Sequence, residues 1–328
     1  MQIYYSQFKG TDSVTVENDA LKVTFLPTIG GKMASLIDKK TKREYLWQEP
    51  VEKLDRPEYD TLFEKWGMFG FDEMFPTISE CYYEEKPWQG IRLPDHGEVW
   101  SLPWEYEIHA DHLHMWVYGV RFPYRLDKWV RFADPLIIRI DYNAANLSSF
   151  DFKFIWAAHP LFNVEPGTRI ILPKSVESIM NTNGGRERLG DFGQIHPWPR
   201  TKTTTGEEYE IDRVYPDIGT HYEKYYVLDE LNEGWAALQN PKTKDVLALS
   251  FPPDKVPYLG LWVNEGGYYN QYNVALEPCT GAFDRVDMAS RFDKVSVVPA
   301  KGSYTWHLGL TIGRQEVLRG VGSDGKLY

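Results

Sequence analysis

The chain has 328 residues, 42% of them hydrophobic, and a formal net charge of −11 without any basic block. This charge argues against partners such as nucleic acid or an anionic membrane surface. No apolar run approaches the ~20 residues of a membrane span, and the opening residues, MQIYYSQFKG, lack the apolar stretch of a secretory signal.

The two cysteines, Cys81 and Cys279, lie far apart and form no CxxC pair. Two free thiols in a reducing compartment are the simplest interpretation, so we expect a cytoplasmic protein. Aromatic residues make up 15% of the chain. They favour strands, and flat rings also pack on the C–H faces of sugars, so composition alone leaves both interpretations open.

The first half of the chain has the alternating pattern of strands joined by turns. Hairpins are predicted over residues 13–27, around a turn at 38–42, and over 104–120. A short helix is predicted near residues 59–66, and strands over 126–132, 136–143 and 150–158. Residues 70–77, GFDEMFPT, place Asp72 and Glu73 among apolar side chains. Acids in such surroundings have partners, so this pair is either buried or faces a ligand.

The second half begins with residues 181–216, which are rich in Gly, Thr, Asn and Pro. They predict a long surface loop of the kind that forms lids or binding loops. Strands are predicted next over 225–228, 234–239, 246–250 and 259–263, the last pairing with the strand that contains Glu277. A closing hairpin covers 295–298 and 304–313. With strand signals nearly throughout, we predict a large antiparallel all-β sandwich with few short helices, as a single domain over residues 1–328.

The stretch VALEPCTGAFD places the carboxylate of Glu277 between apolar residues and Pro278. Proline cannot donate to a sheet ladder, so the strand should stop there. Apolar neighbours at a strand end raise the pKa of a carboxyl group and favour its use as a base. An ordinary glutamate facing water is the alternative. His159, in WAAHPLF, has the same arrangement: an apolar strand, an ionisable residue, then proline.

Further histidines follow two other patterns. His96 precedes a glycine on the loop PDHGEVW, where it either presents its imidazole to a cleft or bonds to the backbone. His112 and His114 share one face of the 104–120 hairpin, with His109 nearby. Zinc requires three or four ligands in closed geometry, so a solvated strand face is the preferred interpretation and no metal is predicted.

Four segments in this order resemble the aldose 1-epimerase, or galactose mutarotase-like, family: LPTIGGKMASLIDKKTKREYLWQ, PDHGEVW, WAAHPLF and LGLWVNEGGYYNQYNVALEPCTG. The resemblance covers roughly residues 14–313. It implies a β-supersandwich with a sugar cleft. It also implies an enzyme that interconverts the α and β anomers of an aldose without a cofactor. The active-site residues of the family would fall on His96, His159 and Glu277. The partner would be a small sugar, and the protein a monomer or homodimer.

The residue types suit this chemistry. Mutarotation requires deprotonation of the C1 hydroxyl and protonation of the ring oxygen, and acid and base groups each contribute ~10²–10⁴-fold. We assign Glu277 as the base, His159 as the acid, and His96 as a donor that steadies developing charge. Asp72 is a candidate for binding sugar hydroxyls, and Trp262 for packing on the sugar ring.

One departure leaves the substrate open. The best-known galactose mutarotases carry an early Asn-Arg-Ile run, which is absent here. More divergent branches include hexose-6-phosphate 1-epimerases, whose phosphate requires an arginine cluster. The candidates for that cluster are Arg92, Arg121, Arg125 and Arg131. A non-catalytic carbohydrate-binding or sensing protein, and a lyase- or hydrolase-associated sandwich domain, are further alternatives on such a fold.

Overall fold

A computed structural model describes residues 1–183 and 188–328, and it confirms the all-β prediction. The strands of the N-terminal half are β1 (Gln2–Phe8), β2 (Thr11–Glu17), β3 (Leu21–Leu26), β4 (Lys32–Asp38), β5 (Phe71–Met74), β6 (Cys81–Tyr82), β7 (Arg92–Leu93), β8 (Glu105–Ile108), β9 (Leu113–Tyr118), β10 (Tyr124–Asp134), β11 (Ile137–Asn146), β12 (Phe152–Phe154) and β13 (Ala157–Pro160).

The strands of the C-terminal half are β14 (Phe162–Asn163), β15 (Arg169–Ile171), β16 (Ser178–Asn181), β17 (Ile195–Pro197), β18 (Arg200–Lys202), β19 (Glu208–Glu210), β20 (His221–Val227), β21 (Trp235–Gln239), β22 (Asp245–Ser250), β23 (Tyr258–Glu265), β24 (Tyr272–Cys279), β25 (Ser296–Val298) and β26 (Ser303–Arg314). The described helical elements are a 3-10 turn, Phe63–Lys65, and the short helix α1 (Val286–Arg291). None of the helices in residues 1–183 and 188–328 is long and apolar enough to span a bilayer.

The chain divides into two compact units. Unit 1 comprises Met1–Leu161 and Cys279–Leu308, and unit 2 comprises Phe162–Pro278 and Gly309–Tyr328. The single domain over residues 1–328 stays a prediction.

Unit 1 contains two antiparallel sets of strands, one in the order β1-β2-β3-β4-β5-β13 and one in the order β11-β10-β9-β8. The hairpins β2–β3 and β8–β9 confirm the patterns over residues 13–27 and 104–120. The turn at 38–42 is closed by the Lys42 amide, which donates to the Asp38 carbonyl at 2.8 Å. The helix predicted near residues 59–66 is only the single 3-10 turn.

Glu73 joins the two sets of strands in unit 1. Its carboxylate accepts hydrogen bonds from Lys128 Nζ (3.2 Å), Tyr142 Oη (2.9 Å) and Trp156 Nε1 (2.9 Å). The Glu73 and Lys128 side chains are 2% and 1% exposed. Successive side chains of a strand point to opposite faces, so Asp72 lies on the other face of β5. Of the two predicted acids, Glu73 is therefore a buried structural carboxylate.

Unit 2 contains a set of strands in the order β24-β23-β20-β16-β17, with β14 also paired to β24. The pairing of β23 with β24 confirms that residues 259–263 lie beside the strand of Glu277. A second set joins β15, β21 and β22 to residues 309–314 of β26.

Two predicted segments differ from the structure. The single strand over 150–158 is two strands, β12 and β13, because the Ile155 amide donates to the Pro76 carbonyl and the Trp156 amide to Thr280 Oγ1, away from the ladders. The irregular segment 181–216 contains the short strands β17, β18 and β19. Residues 184–187 of that segment lie outside the described residues, and its function as a lid stays a prediction.

Candidate active site

His96 lies on a loop of unit 1 whose backbone conformation requires the glycine that follows it. His96 has a φ of 57°, and its amide donates to the Ile78 carbonyl at 2.6 Å. Gly97 has a φ of 74°, and a Cβ at that position would lie 2.2 Å from the Phe75 carbonyl oxygen. Only glycine fits such an approach. The His-Gly pair of the sequence thus fixes where the imidazole emerges.

The imidazole of His96 is oriented by two neighbours. Its Nδ1 lies 3.0 Å from Asp95 Oδ1, and its ring stacks on Phe63 at 4.2 Å between centroids. A carboxylate only accepts, so Nδ1 carries a proton and Nε2 is the nitrogen available to a substrate. Burial opposes ionisation of Asp95, but the charge and hydrogen bond of His96 and the Phe63 amide outweigh it, and the pKa of Asp95 is lowered.

Glu98, on the same loop, fixes the loop through hydrogen bonds to three neighbouring residues. Its carboxylate accepts from Tyr59 Oη (2.6 Å), Tyr124 Oη (3.0 Å) and the Arg121 amide (2.8 Å). Burial raises the pKa of Glu98, although these donors favour its charged form. Sequence reasoning missed this residue, although it lies two positions after His96 in the same motif.

His159 lies beside His96 in unit 1. It is on β13, paired with Asp72 of β5, and is 7% exposed. Its ring centroid is 5.3 Å from that of His96 and 5.3 Å from that of Phe63, with edge-to-face geometry in both cases. The structure thus brings together two of the three predicted catalytic residues and adds Phe63, for which the sequence carried no signal.

Asp72 is completely buried and lies opposite His159 in the ladder of β5 and β13. Its Oδ2 lies 3.1 Å from Lys32 Nζ, which also donates to the carbonyls of Gly67 (3.1 Å) and Phe69 (3.0 Å). Burial raises the pKa of Asp72, and the charges of Lys32 and His96 oppose that rise. Its role in binding sugar hydroxyls stays a prediction.

Glu277 lies on β24 in unit 2 and is 1% exposed. Its Oε2 is 3.1 Å from Lys224 Nζ of β20, whose side chain is 16% exposed. Gly260 of β23 leaves room for this carboxylate, because a Cβ there would lie 3.1 Å from Oε2. An ammonium at this distance compensates the buried charge and stabilises the ionised form that a base requires.

Trp262 belongs to a group of aromatic rings in unit 2. It pairs with Lys224 across β23 and β20, and side chains opposite each other in a ladder share a face. Its ring lies 5.3 Å from Tyr222 and 5.4 Å from Tyr268, between centroids. Trp262 is half-buried. Its packing against a sugar stays a prediction.

The prediction that each strand stops at its proline is confirmed for β13, which ends at Pro160, and is one residue short for β24, which ends at Cys279. His159 is the second-last residue of β13, and Glu277 lies two residues before the end of β24. Proline removes only the hydrogen bond that its own nitrogen would donate, and each strand ends at the proline or one residue beyond it.

Lys224 is a second residue that sequence reasoning missed. It lies in the run HYEKYYV, whose aromatic residues predict a strand but do not identify the neighbour of the lysine across the sheet. The four arginines considered for a phosphate each have a carboxylate partner. These pairs are Arg92 with Asp60 and Glu80, Arg121 with Asp60, Arg125 with Asp127, and Arg131 with Asp141.

Comparison with known proteins shows the fold and leaves the activity open. Residues 5–91 match a family described as a domain of unknown function (DUF5107). No curated protein matches the chain. Among solved structures, the chain is similar to the Slr1438 protein of Synechocystis sp. PCC 6803, with a TM-score of 0.68 and 16% identity over 95% of this chain and 100% of that one.

Two other similar structures have functional names. A candidate aldose 1-epimerase from Klebsiella pneumoniae has a TM-score of 0.70 and 16% identity, over 95% of this chain and 82% of that one. A galactose mutarotase-like protein from Clostridium acetobutylicum has a TM-score of 0.65 and 13% identity, over 96% and 99%. The chain therefore has the fold of the galactose mutarotase-like proteins, as the resemblance of its four segments implied.

Proposed function

We propose that this protein is a cofactor-independent aldose 1-epimerase that interconverts the α and β anomers of a hexose. The observation that carries the proposal is the pair of imidazoles of His96 and His159, with ring centroids 5.3 Å apart, on a fold shared with mutarotase-like proteins. Asp95 fixes the tautomer of one of them.

In the proposed reaction Glu277 removes the proton of the C1 hydroxyl, and the C1–ring oxygen bond breaks as His159 gives its proton to the ring oxygen. The open-chain aldehyde rotates about C1–C2, and the same steps run in reverse to close the ring on the other face. His96 donates a hydrogen bond near the ring oxygen. Protons and electrons balance over the cycle, so no cofactor is required.

An unphosphorylated hexose is the better-supported substrate. Each of the four arginines considered for a phosphate already has a carboxylate partner. A phosphate would have to compete with these carboxylates for the guanidinium donors. We therefore expect faster catalysis on neutral aldoses than on their 6-phosphates.

Anomer exchange measured by NMR on glucose, galactose and their 6-phosphates tests the proposal. We expect the exchange rate of at least one neutral sugar to rise above its buffer-catalysed value in proportion to protein concentration. We expect His159→Gln to reduce this gain ~10²–10⁴-fold, and His307→Gln, a histidine elsewhere in unit 1, to keep it. Sugar binding without faster exchange would contradict the proposal and favour a non-catalytic carbohydrate-binding protein.

A further inference from the structure

The β8–β9 hairpin of unit 1 carries three side chains with metal-binding atoms on one face. Glu107 of β8 is the register partner of His114 of β9. Beyond the ends of the strands, the His109 amide donates to the His112 carbonyl at 3.0 Å, so His109 lies two positions from Glu107 on the same side. The sequence indicated His112 and His114 on this face with His109 nearby, and the structure adds the carboxylate of Glu107.

The three groups are close enough to share one ion. One ligand atom each from Glu107, His109 and His114 lie within 4.8 Å of one another. His109 Nε2 is 3.3 Å from Glu107 Oε2. Ligand atoms on a tetrahedral zinc ion, each about 2.0–2.2 Å from the metal, are separated by about 3.3 Å. The Glu107 and His109 side chains are 61% and 42% exposed, so small rotations suffice to close the remaining distance.

The imidazole of His114 is held by a carboxylate and by ring stacking. Its Nε2 lies 2.8 Å from Asp127 Oδ1, and Arg125 Nη2 holds the same oxygen at 2.7 Å. The ring also stacks on Trp129 with an interplanar angle of 9°. A carboxylate that accepts from one ring nitrogen fixes the tautomer and leaves the other nitrogen, Nδ1, unprotonated and able to bind a metal.

His109 is oriented by stacking instead. Its ring lies 4.3 Å from that of His112 with an interplanar angle of 12°, and His112 Nδ1 is 2.8 Å from Asp111 Oδ1. Both candidate imidazole ligands therefore have defined planes before any metal is present. This reduces the ordering that binding would require.

We propose that Glu107, His109 and His114 bind one divalent transition-metal ion, with Zn²⁺ as the best fit. Two imidazoles and one carboxylate match the donor preference of Zn²⁺ over Mg²⁺ or Ca²⁺, which prefer oxygen ligands alone. Three protein ligands leave a fourth position for water or for a residue of a second molecule. The site is separate from the residues proposed for sugar chemistry, so the epimerase proposal can fail without affecting it.

Zinc titration by calorimetry on the full chain tests the site, with zinc chloride as the probe. We expect the wild type to bind one more zinc ion per chain than the His109→Ala/His114→Ala double variant. We expect Asp127→Asn to weaken that site about 10–100-fold, as loss of an orienting carboxylate does elsewhere. His221→Gln removes a histidine from unit 2 and should leave the stoichiometry unchanged.

Anomalous diffraction at the zinc edge on wild-type crystals locates the ion without relying on any variant. A peak bonded to Glu107, His109 and His114 would support the proposal. Equal zinc stoichiometry in the wild type and the double variant, or anomalous peaks only at other residues, would overturn it.

Discussion

Each unit contains a buried glutamate beside a lysine, and the two pairs differ in what surrounds them. In unit 1 the Glu73–Lys128 pair is 2% and 1% exposed, and the carboxylate also accepts from a tyrosine and a tryptophan. In unit 2 Glu277 is equally buried, but its partner Lys224 is 16% exposed and lies on a face with half-buried Trp262.

The difference separates a structural carboxylate from a candidate catalytic one. Each oxygen of Glu73 has a fixed donor in the core of unit 1, and removing the charge would leave Lys128 buried without compensation. The Lys224 side chain is 16% exposed, so a change at Glu277 leaves an ammonium that is less buried than that of Lys128. Burial alone does not distinguish the two glutamates, and the exposure of the lysine does.

The largest effect on stability is expected from Glu73→Gln. The variant leaves the Lys128 ammonium buried without its counter-charge, which costs about 3–5 kcal/mol in comparable pairs. Denaturant unfolding of wild type and variant measures this loss. A change below about 1 kcal/mol would show that water reaches Lys128 and would remove the contrast with unit 2.

A smaller effect, on rate, is expected from Lys224→Met. Without the ammonium 3.1 Å away, ionising a buried carboxylate becomes harder, so the acid limb of the pH–rate profile should move to higher pH. We expect about a tenfold lower rate at neutral pH, recovered as pH rises. Lys224→Arg keeps the charge and should retain most of the rate. An unshifted profile in Lys224→Met would show that the lysine does not act on Glu277.

The smallest effect is expected from Asp95→Asn, and it depends on pH. Because the pKa of Asp95 is lowered on folding from its ordinary 3.8, its charged form stabilises the fold above that value. We expect wild type to exceed the variant by about 1 kcal/mol at pH 7, the net contribution of a hydrogen bond. The difference should vanish as pH falls through the lowered pKa. Unfolding curves between pH 7 and about pH 2 test this, and a constant difference would contradict it.

Much of the fold could be predicted from the sequence, because strand alternation is a local signal. The hairpins β2–β3 and β8–β9, and the neighbours β23 and β24, follow directly from it. The break between β12 and β13 could not be predicted. It depends on acceptors at Pro76 and Thr280, which are distant in sequence.

The residues of the candidate site likewise divide into those that the sequence identified and those that it did not. His96, His159 and Glu277 were identified from motif order, and the proximity of the two histidines is a property of the fold. Lys224, Phe63 and Glu98 were missed because their contacts are set by strand register and loop packing, which no motif records. The predicted end at proline is correct for β13 and one residue short for β24, because proline removes only the hydrogen bond that its own nitrogen would donate.

The most direct test of the central claim is the rate of anomer exchange by Glu277→Gln, measured by NMR with its unfolding free energy. We predict a rate ~10²–10⁴-fold below wild type, with a stability loss well below that of Glu73→Gln. A Glu277→Gln variant that keeps the full rate would contradict the assignment of Glu277 as the catalytic base.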